Sequence, residues 1–260
     1  MERICWVDAI RGLAVIMMVV FHFFVDLDFF GIKHFSLDTA AWQAFGRLIA
    51  IAFIFLVGFS LVLSYSRKEA KKAGFKKYAK RGLKIVAYGL IITLITALLF
   101  PDNFVIFGIL HFIGFAIIIS YPLVKQSAKQ STKHNVYVFS ALMLILSVLA
   151  IVIGLVLDKK LFAFPYLLWL GLKPNLNMLD YFPLFPWLGV VWIGIAAGCL
   201  YVNKRANKRN QSNSNTSNLF RLNRFINFLA ALGRHSLIIY LAHQPILAGG
   251  IWIYKFIATN

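Results

Sequence analysis

The chain has 260 residues, of which 60% are hydrophobic and 14% charged, with a net charge of +18. A soluble domain carries about a quarter charged residues, so this composition excludes an ordinary water-soluble fold and indicates an integral membrane protein. The basic residues sit between the apolar runs, where anionic lipid and membrane topology account for them. The expected partner is therefore a lipid bilayer, and no nucleic acid partner is expected.

The apolar runs are continuous and do not alternate, which predicts helices rather than barrel strands. Seven spans are expected, over 4–25, 42–65, 84–100, 105–124, 135–157, 182–202 and 235–257. The fold class is thus all-α, a polytopic transmembrane helix bundle. One membrane domain over 1–260 is expected. The first run carries Asp8 and Arg11 and has no clear small-residue cleavage site, so it is expected to stay in the protein. The stretch 66–84 is strongly basic and reads as a loop or an interfacial helix. Pro101-Asp102-Asn103 is a turn signal. The run FAFPYLLWLG within 158–181 is too short to span. Residues 203–219 are low-complexity and basic, and are expected to form a disordered cytoplasmic loop. Residues 220–234 read as an amphipathic interfacial helix. Pro245 is expected to break the last span.

The loops 66–84, 125–134 and 203–224 carry nine, three and six Lys or Arg, whereas 26–41, 101–104 and 158–181 carry one, none and three. This asymmetry predicts an N-terminus inside and a C-terminus outside the cell membrane, in a multi-pass arrangement.

The first span, VDAIRGLAVIMMVVFHFFVD, carries most of the chemistry. Arg11 and His22 are eleven positions apart, close to three helical turns, so they share a face and lie roughly 16 Å apart along the axis. Asp8 and Asp26 flank the same stripe, three residues before Arg11 and four after His22. Polar side chains on a buried span are costly unless they face protein or a wet cavity, so the stripe reads as a functional groove. Cys5 and Cys199 lie in apolar runs and form no ligand cluster. No HExxH, Walker A or GxGxxG pattern is present, so no metal is expected and nucleotide hydrolysis or hydride transfer is disfavoured.

The stretches VDAIRGLAVIMMVVFH, FIFLVGFSLVLS, FGILHFIG, DYFPLFPWLG and LGRHSLIIYLAHQPIL follow one another over 7–247. In that order they resemble the heparan-α-glucosaminide N-acetyltransferase-like catalytic domain family. The first stretch also resembles the first helix of acyltransferase-3 enzymes. The resemblance implies a membrane acyltransferase. It would move an acyl group, acetyl in the family's name, from acyl-CoA to a small-molecule or glycan acceptor, at an amine or hydroxyl. It makes Arg11 and His22 the functional pair. In the animal sugar N-acetyltransferases the catalytic histidine lies just after the first helix, and the counterpart here is His34. Both histidines remain open at this point.

His22 has the acid–base range that acyl transfer needs, and Asp26 could orient its ring. The alternative is a histidine that merely bonds a helix carbonyl. Arg11 could hold the phosphates of the donor, or simply pair with Asp8. Arg47, near the start of the second span, could bind an anionic group or snorkel to the interface. His111 could face a ligand or make a helix–helix hydrogen bond. His243 precedes Gln244 and Pro245, where a proline frees a backbone carbonyl inside a span, and it could line the site. Two other readings compete. One is a secondary transporter or proton-coupled carrier using the same stripe. The other is a non-catalytic membrane subunit. A homodimer is an assembly left open by the sequence.

Overall fold

In lipid every backbone polar group must be satisfied within the chain, so the Val- and Ile-rich runs become helices despite modest intrinsic propensity. A computed structural model describes residues 4–130, 132–158, 165–172, 180–211 and 224–259. Among these the helices are α1 (Cys5–Phe29), α2 (Ala40–Tyr65), α3 (Lys68–Leu99), α4 (Ile109–Ile119), α5 (Tyr121–Ser127), α6 (Lys133–Asp158), α7 (Leu184–Gln211), α8 (Arg224–Arg234) and α9 (Ser236–Thr259). A short 3-10 helix covers Pro165–Leu170. Six helices are long and apolar enough to cross a membrane, or seven if the bent pair α4–α5 makes one span.

Several boundaries differ from the sequence expectation. The basic stretch is a helix from Lys68, as expected, but it is not separate from the third span: after a left-handed break at Gly74 (φ 58°) the helix runs on into it. Glycine tolerates that conformation without a Cβ clash. The run 105–124 is not one helix: α4 ends at Ile119 and α5 leaves it at 47°. Pro122 sits in the first turn of α5, where it cannot donate to a carbonyl of the preceding turn. Phe185, before Pro186, is extended (φ −102°, ψ 132°), as the residue before a proline tends to be. Helix α7 then continues to Gln211, into the segment expected to be disordered, whose remainder, 212–219, lies outside the described residues. Pro245 does not break α9, which runs through it.

Contacts divide the chain into two units. The first spans Ile54–Asn213 and holds the second half of α2 with α3 to α7. Helices α6 and α7 pack together, as do α3 and α4. Helix α7 also meets α2 through Gly194 and Gly198, one turn apart, whose backbones lie against Phe55 and Phe59. Small residues at that spacing let helices approach closely in lipid.

Two of the sequence stretches singled out above meet in this unit. The Phe182 N–H donates to the Phe107 carbonyl (2.9 Å), and the Ile109 N–H at the start of α4 donates to Asp180 Oδ2 (3.1 Å). Gly108 is needed there, since a Cβ would come within 2.6 Å of Asp180 Oδ2.

The second unit comprises Glu2–Phe53 and Ser214–Asn260. Helix α1 is its centre, packed against α8 and α9. The α1–α8 crossing is reciprocal: a Cβ on Gly12 would strike the Leu229 carbonyl, and one on Gly233 would strike the Asp8 carbonyl. Ala9, Leu229 and Ala230 fill the crossing, while Phe225 and Phe228 face outward.

Gly233→Ala should therefore force α1 and α8 apart and lower the melting temperature in detergent, by an overpacking cost of about 1–3 kcal/mol. Gly250 has nothing within 4 Å of a would-be Cβ. Gly250→Ala should be neutral or stabilising, because alanine is the better helix former. Equal melting of the two variants would disprove the close crossing.

Burial pushes the Asp180 carboxyl up to about 6, against the Ile109 N–H, which lowers it. A raised folded-state value means the folded form favours the protonated acid. The stability from this group is intact below the unfolded value of about 4 and is lost as pH rises through about 6. Asp180→Asn removes the charge and keeps an oxygen for Ile109. Its melting temperature should exceed wild type at about pH 8, and the gain should vanish at about pH 4. A gain of the same size at both pH values would show that burial of the charge is not its cause.

Candidate functional site

The polar stripe of α1 survives folding as a set of satisfied contacts. Arg11 Nη1 donates to Asp8 Oδ1 at 3.0 Å, one turn back on the same helix. Both side chains are partly buried. The Asp8 backbone lies at the glycine crossing with α8. The pair therefore sits at a fixed point of the unit, and Arg11 offers a fork of donors with part of its charge already balanced.

Further along α1, His22 Nδ1 lies 2.9 Å from the Met18 carbonyl. On α9, His243 Nδ1 lies 2.7 Å from the Tyr240 carbonyl. A carbonyl only accepts, so each Nδ1 carries the hydrogen and each Nε2 presents a lone pair. The two rings approach edge to face, with centroids 4.8 Å apart and planes at 74°. His22 is half-buried, and His243 is 7% exposed. A lone-pair Nε2 on a half-buried histidine is what a general base requires.

Asp26 is 6% exposed. It was expected to hold the His22 ring. Its side-chain hydrogen bond runs across the seam to Gln244 of α9, and the His22 Nδ1 is held by Met18. Asp26 Oδ2, His243 Nε2 and Gln244 Oε1 are buried without a partner, as is the Trp42 Nε1–H, whose ring packs on Phe21 and Phe24. The first three are acceptors and the indole N–H is a donor. A buried polar atom without a hydrogen bond costs about 1–3 kcal/mol, so these atoms mark the costly part of the seam. Gln244 had no role in the sequence reading. Only its place beside His243 in the HQP triplet hinted at one.

His34, Arg47 and His111 each have their own surroundings. His34 is on the loop after α1 with its side chain 89% exposed, and its Nδ1 is 3.5 Å from Asp28 Oδ1. The Phe35 N–H donates to the same oxygen at 2.9 Å, which fixes the carboxylate. Arg47 is exposed on α2. His111 belongs to the first unit. It is buried on α4, stacked on Phe107 with centroids 5.6 Å apart, and lies against Gly89, and both its ring nitrogens lack partners. The structure thus brings together Asp8 with Arg11, and His22 with Asp26 and His243. His34 stands apart with Asp28.

A comparison with curated proteins finds no match. The profile of the family described as heparan-alpha-glucosaminide N-acetyltransferase, catalytic, matches residues 3–245. That match runs from the start of α1 to Pro245 of α9 and takes in every candidate residue named above. With its six or seven membrane-length helices, this chain belongs to the heparan-α-glucosaminide N-acetyltransferase catalytic family, a family of multi-pass membrane acetyltransferases.

Proposed function

We propose that the protein transfers an acetyl group from acetyl-CoA to an amine or hydroxyl of a small-molecule or glycan acceptor, with His22 as the base. The observation that carries this reading is the His22 ring itself. Its Nδ1–H is tied to Met18, and its Nε2 is free to take a proton. The acceptor atom attacks the thioester carbonyl carbon, and its proton passes to Nε2. The C–S bond breaks, and the thiol leaves with a proton. Arg11, held by Asp8, is suited to the donor's phosphates, because a guanidinium offers several donors in one plane. The family match crosses both units, which supports a single catalytic domain over 1–260. The cell membrane is the location we assign to it.

His34 supports a second reading, on one observation. It has a carboxylate, Asp28, beside its ring and lies on an exposed loop open to a water-soluble acceptor. The two readings part in one experiment. Thiol release from acetyl-CoA is followed with a panel of amino sugars and polyols. His22→Gln should lose about 10²- to 10⁴-fold in rate while keeping its gel-filtration profile, and His34→Ala should keep most of its activity. The reverse pattern makes the loop histidine the base.

The basic-residue count orients the chain with its N-terminus inside, seven spans and its C-terminus outside. Arg11 would then lie toward the cytoplasmic half and His22 toward the outer half. A Ser214→Cys variant of the cysteine-free protein should react with an impermeant maleimide only after the cells are opened. Labelling in intact cells would invert the topology.

A further inference from the structure

Helix α3 carries cations that its own unit does not balance. After the kink at Gly74, Lys77, Lys80 and Arg81 are exposed, and Lys80 and Arg81 stand three and four positions on from Lys77, on one face. No Asp or Glu occurs between Glu69 and Asp102. The other acids of the unit lie at its far end. Asp102 follows the end of α3, and Asp158 closes α6 one turn past the contact of Gly154 with Pro186. Asp180 meets the start of α4, which runs antiparallel to α3, with Gly82 against Gly114 and Gly89 against His111. Three features put the cations at the depth of lipid phosphates. From Ile85 to Leu99 the helix has 15 uncharged residues. That is about 22 Å of helix against a hydrocarbon layer of about 30 Å, so the charged end is drawn into the headgroup layer. The Lys84 ammonium lies 5.8 Å from the centre of the Tyr88 ring, a pairing suited to the membrane–water boundary. Tyr78 meets Tyr121 of α5 and Tyr65 of α2, with ring centroids 5.2 and 6.0 Å apart. Tyrosines favour that same boundary, and these three hold the wall of α3 in place there.

We propose that Lys77, Lys80 and Arg81 bind the headgroup phosphate of an anionic phospholipid, with Lys84 below them at the edge of the hydrocarbon. The counter-charge that the unit lacks at this end then comes from the bilayer. Arg81 offers a planar fork that takes two phosphate oxygens, and the lysines add point charges on either side. The wall of α3 also suits the rest of a lipid. Leu83, Leu90 and Leu94, spaced by seven and four positions, are exposed on one stripe that leads from the cations into the span. An acyl chain fits along that stripe, and a soluble phosphate has no use for it. A zwitterionic headgroup brings its own cation, which the three side chains repel, so the face selects lipids with net negative charge.

The test uses the full-length protein in detergent. Short-chain phosphatidylglycerol is titrated in, with phosphatidylcholine of the same chains as the neutral lipid, and binding is read from the rise in melting temperature. Phosphatidylglycerol should give a saturable rise and phosphatidylcholine none. A triple variant, Lys77→Gln with Lys80→Gln and Arg81→Gln, should lose affinity for phosphatidylglycerol by about 5-fold per cation, on the order of 100-fold for all three. A second triple variant removes three exposed cations elsewhere on the same end of the unit, as Lys125→Gln with Lys129→Gln and Arg205→Gln. It should bind as wild type does. Equal losses in the two triple variants would show general basicity and overturn the proposal. An equal rise with phosphatidylcholine would overturn it too. So would displacement of phosphatidylglycerol from the wild-type protein by coenzyme A, which would make the face a site for a soluble phosphate. If the first triple variant does not fold, Lys80→Gln and Arg81→Gln are tested singly, and wild-type affinity in both overturns the proposal.

Discussion

A polar side chain carried into hydrocarbon must find its partner inside the protein, and α1 is built around that constraint. Asp8 and Arg11 answer it within one turn of one helix. His22 answers it with its own backbone, through Met18. Asp26 has no such local solution and reaches across to Gln244. The position of α9 against α1 follows from these contacts as much as from apolar packing. Lipid tails are as apolar as leucine, so burial of leucine alone gives little reason for one helix to choose another.

The two histidines of the α1–α9 seam are made tolerable by their own helices. Each ring hands its one hydrogen to a carbonyl of the preceding turn, which satisfies the donor and fixes the tautomer. The other nitrogen is left as a lone pair. In water that lone pair would bond solvent. Here the His243 Nε2 has no partner, and the neighbouring unpaired atoms of Asp26 and Gln244 are also acceptors.

Close backbone approach supports these contacts. Gly12 and Gly233 let α1 and α8 touch at the carbonyls of Leu229 and Asp8, so the end of α1 that carries Arg11 is held rigidly. The first unit uses the same device between α2 and α7 at Gly194 and Gly198. Van der Waals contact between backbones replaces the hydrophobic drive that water would supply.

The sequence by itself determined the all-helical membrane class, the family and the polar face of α1. Those follow from composition, from run length and from the 3.6-residue period, which are properties of one segment at a time. The Asp8–Arg11 pair was legible for the same reason, since three residues make one turn. Asp26 looked equally local, one turn from His22, yet its partner is Gln244 on α9. His243 had no visible reason to sit beside His22 until α9 was placed against α1. Pro245 promised a break, and the helix absorbed it. His111 carried the same chemical signature as the other histidines and folded into the other unit. Periodicity says which face of a helix is polar. Which helix covers that face is set by how whole surfaces fit, with glycines at the crossings and partners for each buried polar atom, and only the tertiary structure decided that.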